Sequence, residues 1–148
     1  MEGIARRGSQ VLIMLVVDAS IALTWCFEDE VTEATEAIGT RVDSEGAVVP
    51  DLWRLEVANA LMLAERRGRL KRSNMEQRLE LLAALPIAID ANTASRTWTD
   101  TLLLARAERL TLYDAAYLEL AIRRDVELAT LDRDLRRAAR KMGVAVVP

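Results

Sequence analysis

The sequence contains no histidine. That absence removes Ser–His–Asp and Cys–His catalysis, His-ligated zinc and every imidazole acid–base pair. Cysteine is nearly absent too: Cys26 stands alone, so it forms no internal disulfide and no thiolate zinc cluster. A reducing, cytoplasmic setting fits a chain with one thiol. The longest early apolar run, Val11 to Val17, is far too short for a bilayer, which needs about 20 residues. Arg6 and Arg7 precede it as a secretory n-region would, but no small-residue cleavage site lies before Asp18. No membrane partner is expected. A dominant charge is also lacking: Lys and Arg total 20, Asp and Glu 23, for a net −3, so any site for a polyanion must be a local patch.

What the chain does hold is hard oxygen donors, which suit Mg²⁺ or Mn²⁺. With 148 residues, 51% of them hydrophobic and 29% charged, it reads as one soluble globular domain with a substantial core. Residues 1–10 are polar and glycine-containing and are expected to fray; residues 1–13 are taken as a flexible N-terminal extension, with Met14 an alternative start, and residues 14–148 as the domain.

Short apolar runs alternate with helical patterns along that domain. Val11–Val17 reads as a buried strand, and Ser20 as the cap of a helix over Ile21–Trp25. A helix follows from the acidic stretch Glu28–Glu36 to Gly46, then the strand Ala47–Val49. Pro50 stops that strand, and Asp51 is positioned to cap the helix Leu52–Arg67, which Gly68 ends. Ser73 and Glu76 suit a capping box for a helix to Leu85; Pro86 and the strand Ile87–Ile89 follow. Asn92 or Thr93 caps a long helix to Leu110, and Thr111 with Asp114 caps the helix through Arg124. Leu128–Leu131 is a strand, Arg133–Met142 a helix ended by Gly143, and Val144–Val147 the last strand. Strand–helix alternation of this kind argues for a three-layer α/β/α fold around a central parallel sheet of about five short strands.

In such sheets ligands bind outside the carboxyl ends of the strands. Asp18 and Asp132 follow strands, Asp114 opens a helix from the same edge, and Glu56 lies early in the helix after the second strand. Each acid has a plain structural explanation: a turn acid at Asp18, a dipole-favoured acid at Glu56, caps at Asp114 and Asp132. Together they would repel one another and raise their pKa values unless a divalent cation offsets the repulsion. A metal there can activate a retained water and stabilise charge on a phosphate oxygen.

Val17-Asp18-Ala-Ser20, Leu55-Glu56-Val-Ala-Asn59-Ala-Leu61, Leu112-Tyr-Asp114-Ala-Ala and Ala129-Thr130-Leu-Asp132-Arg-Asp134-Leu resemble the signatures of PIN-domain nucleases, nearest the VapC-type toxins of bacterial toxin–antitoxin pairs. The resemblance runs from Met14 to Val147. It implies a Mg²⁺- or Mn²⁺-dependent endoribonuclease that leaves a 3′-hydroxyl and a 5′-phosphate. Carried across by position, Asp18, Glu56, Asp114 and Asp132 match the acidic quartet. Asp18 and Asp114 would ligate metal, Asp132 would hold the metal or a water beside it, and Glu56 would orient or deprotonate the attacking water. Asp134 would complete a second metal site, while Ser20, Asn59 and Thr130 would support the carboxylates or the substrate. The resemblance further implies a homodimer and a small antitoxin protein that inserts a peptide, with a basic side chain, into the cleft.

RNA needs cations beside such a cleft. The candidates are Arg66, Arg67, Arg69, Lys71 and Arg72 on one segment and Arg133, Arg136, Arg137, Arg140 and Lys141 on another. A solvated loop and helix face is the plainer account of both. Two other functions stay open. A Mg²⁺-dependent phosphatase would need a second acid two residues after its nucleophilic Asp, where Ser20 stands. A non-catalytic PIN-like module would bind RNA or protein without cutting, and has no need of all four acids.

Overall fold

A computed structural model describes residues 14–148. The expected N-terminal extension and the Val11–Ile13 part of the first strand lie outside them. The chain runs β1 (Leu15–Val17), α1 (Ala19–Thr24), α2 (Glu33–Glu45), β2 (Ala47–Val49), α3 (Trp53–Arg66), α4 (Arg72–Ala84) and β3 (Ile87–Ile89). It continues through α5 (Thr93–Arg96), a π-helical turn (Thr97–Thr101), α6 (Leu102–Glu108), α7 (Leu112–Arg124), β4 (Leu128–Ala129), α8 (Arg133–Lys141) and β5 (Val146–Val147).

The strands form one five-stranded sheet in the order β3-β2-β1-β4-β5, with every pairing parallel. Leu15, Val16 and Val17 pair on one side with Ala47 and Val48 and on the other with Leu128 and Ala129. All are inaccessible to solvent or nearly so, as expected for strands covered on both faces. The chain moves one way across the sheet from β1 to β3 and the other way from β4 to β5. Right-handed crossovers therefore place the intervening helices on opposite faces, giving the three-layer α/β/α arrangement. The order of connection reverses between β1 and β4, and in sheets of this kind the carboxyl ends of the strands at such a reversal frame the ligand-binding crevice.

Several local expectations are corrected. Helix α1 starts at Ala19, so Ser20 lies inside its first turn and its hydroxyl turns to Asp18 instead of capping. Helix α2 does not begin at Glu28: Thr32 caps it through a capping box with Thr35, and Asp29 and Glu30 precede it in a turn. Asp51 does not cap α3, whose N-cap is Leu52; its N–H donates to Thr93 Oγ1 at 2.9 Å. Helix α4 begins one residue before Ser73, so the expected box with Glu76 does not form. The long helix to Leu110 is interrupted by the π-helical turn, where Thr97 Oγ1 donates to the Thr93 carbonyl at 2.9 Å and competes with the helical ladder. It ends at Glu108, because Arg109 adopts a left-handed conformation.

One buried ion network ties the two halves of the chain. Asp90, 1% exposed just after β3, accepts from Arg123 of α7 at 3.1 and 2.7 Å and from Thr93 Oγ1 at 3.1 Å. Arg123 also grips Glu119 at 2.8 and 3.0 Å. The Arg123 bonds hold the Asp90 carboxyl below the usual carboxylate range, against the opposing effect of burial. Removing the guanidinium would leave Glu119 unpaired and Asp90 with only the Thr93 hydroxyl and Arg124 at 4.0 Å, and breaking a buried pair in this way costs about 3–5 kcal/mol. Arg123→Ala is therefore expected to lower the urea midpoint by that free energy with an unchanged slope. Because the Asp90 pKa is depressed, its contribution is present above the unfolded value of 3.8 and is lost as pH falls through the lower folded value, so the parent–variant gap should narrow in acid.

Candidate active site at the β1–β4 crevice

Asp18 is the first residue past β1 and is 5% exposed. Its N–H donates to the Ala129 carbonyl at 2.9 Å, extending the β1–β4 ladder to the crevice edge. Ser20 Oγ and Thr130 Oγ1 each donate to Asp18 Oδ2 at 2.7 Å. Each hydroxyl has one proton and spends it on Asp18, so its lone pairs are left to accept. Ser20 Oγ takes the N–H of Leu131 and Thr130 Oγ1 that of Asp132, both at 3.0 Å. The turn between β4 and α8 is thereby latched to the Asp18 carboxylate, and Oδ1 carries no side-chain donor among the described residues. Burial raises the Asp18 pKa, the Ser20 and Thr130 bonds pull it back in part, and the Asp132 charge raises it again.

The other acids arrive from three helices. Glu56, in the first turn of α3, is half-buried, and Tyr117 of α7 donates its hydroxyl to Oε1. Burial raises the Glu56 pKa; the Tyr117 bond lowers it, and the charges of Asp18 and Asp114 raise it further. Asp114 sits in the first turn of α7, its N–H donating to Thr111 Oγ1 at 3.1 Å. Burial, followed by the charges of Asp132 and Asp18, pushes its carboxyl up to about 6, with Thr111 opposing and exposed Asp134 adding a little. Asp132 is the N-cap of α8, accepting from the Leu135 N–H at 2.9 Å. Its capping role and its place beside Asp18 and Asp114 hold together.

The four expected acids therefore share one crevice and feel one another's charge. Among the described residues none of the four forms an ion pair, so these residues leave the negative charge uncompensated. Every donor is a hard oxygen. Chemistry and charge fit a small dication, but among the described residues no three acids stand as a ready-made cage. The hydrogen bonds explain why: Asp132 is turned to an amide and Glu56 to a phenol.

Sequence reasoning missed Tyr117. It is inaccessible to solvent, and burial first, then the Glu56 charge, keeps its hydroxyl protonated as a donor. The available signal was its position three residues after Asp114, one helical turn along the same face. Of the expected supporting residues, Ser20 and Thr130 hold Asp18, whereas Asn59 is exposed and makes no side-chain hydrogen bond among the described residues.

Much of the expected basic patch is committed elsewhere. Arg69 pairs with Asp29 and Glu30 and lies over the Phe27 ring, and Arg72 reaches Glu65. Arg136 donates to the Thr130 and Pro148 carbonyls, Arg137 to the Glu108 carbonyl, and Lys141 lies beside the Glu108 carboxylate. Arg66, Arg67, Lys71, Arg133 and Arg140 have no ion pair among the described residues. Arg66 stands ten residues along α3 from Glu56, about 15 Å on a helix axis. Cys26 is buried, with its thiol pushed up to about 11 first by burial, and takes no part.

The raised Asp114 pKa has a stability consequence. The folded value lies above the unfolded 3.8, so the favourable contribution is complete below that pH and is lost as pH rises through about 6. In chelator, Asp114→Asn is expected to stabilise the protein at pH 7.5 by roughly 1 kcal/mol after allowance for solvent screening, and by nothing at pH 4. Urea unfolding at the two pH values checks this; destabilisation at pH 7.5 would contradict the charge-cluster account.

Comparison with known proteins agrees with this architecture. The chain is 35% identical over 135 residues to ribonuclease VapC3 of Pyrobaculum aerophilum, covering 90% of this chain and 98% of that protein. The fold is similar to the crystal structure of PAE2754 from the same organism, with TM-score 0.69 and 22% identity over 95% of this chain and 93% of that one. It is also similar to FitAcB of Neisseria gonorrhoeae, with TM-score 0.63 and 16% identity over 91% and 97% of the two chains. The family model for the PIN domain matches residues 15–141, a span that begins at β1, ends at α8 and contains all four crevice acids, and the chain belongs to the PIN-domain family.

Proposed function

We propose that this protein is a metal-dependent endoribonuclease acting as the toxin of a toxin–antitoxin pair. The observation that carries the reading is the latched, buried Asp18 carboxylate at the β1–β4 crevice, surrounded by acids whose charge no described residue neutralises. The family and the relative named ribonuclease VapC3 support the choice of RNA.

Asp18, Asp114 and Asp132, with Asp134 at the rim, would hold Mg²⁺ or Mn²⁺, which when bound acidifies a water and stabilises charge on a phosphate oxygen. Asp18 offers Oδ1, because Ser20 and Thr130 both occupy Oδ2. Glu56 is held at Oε1 by Tyr117, which leaves Oε2 to take the proton of the attacking water. Its raised pKa brings it closer to neutrality, as a general base requires. The water oxygen bonds to phosphorus, the bond from phosphorus to the 3′-oxygen breaks, and the products are a 3′-hydroxyl and a 5′-phosphate. Arg66, Arg67, Lys71, Arg133 and Arg140 would follow the flanking phosphates. The same proposal takes in a cytoplasmic location, a homodimer and a small antitoxin that seats a basic side chain among the acids. No helix of the described residues is long and apolar enough to cross a membrane.

A non-catalytic PIN-like module that binds RNA or protein is the second reading. It is favoured by one observation, that no three described acids already stand as a cation cage.

Cleavage of single-stranded RNA separates the two. The parent is expected to cut, to stop in chelator and to recover with Mg²⁺. Asp18→Asn should lose at least about 10³-fold in rate while binding the same RNA, since a lost metal or transition-state contact costs on that order. The salt dependence of RNA binding should have a log–log slope no steeper than about −3.5, roughly 0.7 for each of the five uncommitted cations on a single strand. RNA binding without any cleavage, in either metal, would establish the binding module.

A further inference from the structure

Beside the acid crevice lies a cavity of about 530 Å³ whose lining includes Asp51, Leu52, Thr93, Thr97, Leu112 and Tyr113. Three elements that rise from the same strand-end edge build it. Asp51 and Leu52 follow β2 and lead into α3, with Leu52 four residues ahead of Glu56. Thr93 follows β3 and starts α5. Leu112 and Tyr113 begin α7, and Tyr113 directly precedes Asp114.

Two of these residues are unexplained by the fold. Tyr113 is 63% exposed and its hydroxyl has no partner among the described residues, so a large aromatic ring faces water immediately next to a crevice acid. The Asp51 side chain caps nothing: only its N–H is engaged, by Thr93 Oγ1, and its carboxylate has no hydrogen bond or ion pair among the described residues. The other walls are mostly apolar or hydroxyl-bearing, and among the described residues no Lys or Arg lines the cavity. A phosphate is therefore poorly suited to it. An uncharged, flat group with hydrogen-bond donors on its edge suits it well.

We propose that this cavity is a nucleobase subsite of the RNA-cleaving crevice, resting on the ribonuclease reading above: one unpaired base of the substrate stacks on the Tyr113 ring and presents an amino group to the Asp51 carboxylate. Stacking on an aromatic ring is tolerant of sequence, because every base has a π-face. The selectivity comes from Asp51, since a carboxylate only accepts. Cytosine, adenine and guanine each carry an exocyclic amine that can donate to it. Uracil has a single N–H set between two carbonyl oxygens, whose lone pairs would face the same negative charge. The subsite thus favours an amine-bearing base next to the cut, and uracil is discriminated against there.

Both side chains are free of structural duties, so their variants are expected to fold as the parent does. The test uses the full chain carrying Asp18→Asn, with Mg²⁺, and single-stranded rC, rA and rU oligomers followed by fluorescence anisotropy. The expected result is tighter binding of rC and rA than of rU. Tyr113→Ala should weaken all three by roughly tenfold or more, Tyr113→Phe should restore them, and Asp51→Asn should erase the preference over rU by about tenfold. Unchanged binding in Tyr113→Ala, or an intact preference in Asp51→Asn, would overturn the subsite. Cleavage by the chain with Asp18 intact is scored separately. Cutting that ignores both substitutions rejects the subsite and keeps the nuclease; base-selective binding without cutting keeps the subsite and rejects the nuclease.

Discussion

The structure turns on a carboxylate that folding buries at the end of a central strand. Asp18 lies between β1 and β4, where the sheet's connections part in opposite directions, and a charge at that point is costly unless its oxygens are satisfied. Ser20 and Thr130 satisfy one oxygen by donating to it, and each takes a backbone N–H of the β4–α8 turn in exchange. This small relay sets where α8 begins, and with it where Asp132 and Asp134 stand. The placement of the remaining acids follows from the two flanking layers. Helices α3 and α7 bring Glu56 and Asp114 to the same edge, and the Tyr117–Glu56 hydrogen bond joins those helices across it.

Excess negative charge is the recurring theme of this edge. Elsewhere the protein neutralises its buried acids with care: Asp90 and Glu119 share Arg123, and Glu108 lies beside Arg137 and Lys141. At the crevice no described residue does so. Two treatments of buried carboxylates in one small domain point to two purposes, stability in the first case and ligand binding in the second. Among the described residues Arg66, Arg67, Lys71, Arg133 and Arg140 form no ion pair with these acids, so they remain available to a polyanion.

Much of this was legible in the sequence because it depends on local patterns. The apolar runs at Leu15–Val17, Ala47–Val49, Ile87–Ile89 and Leu128–Ala129 became strands, and the acids after them fell on the expected edge. The order of the strands was not accessible from local patterns, and it is the β1–β4 pairing that sets Asp18 beside the turn carrying Asp132. Caps fared worse. Ser20, Asp51 and Ser73 all have capping chemistry, yet tertiary partners or a shifted helix start decided otherwise. The π-helical turn was hidden because its threonines look like ordinary helix positions until the Thr97 and Thr99 hydroxyls choose backbone carbonyls. Tyr117 was hidden for a related reason: from sequence an aromatic on a helix face reads as core, and only the fold reveals Glu56 at the end of its ring. Charge counting along a chain cannot see Asp29, Glu30 or Glu108 arriving from elsewhere to pair with Arg69 and Lys141.

The central claim is that the crevice acids act together on one hard cation. Electron paramagnetic resonance of Mn²⁺ titrated into the metal-free protein tests it without reference to any substrate. The account predicts a bound population that Mg²⁺ displaces and that weakens when Asp18 or Asp114 is singly replaced by asparagine, while an Asp90→Asn control that remains folded binds as the parent does. Mn²⁺ binding that is absent, or equally strong in all the variants, would contradict it.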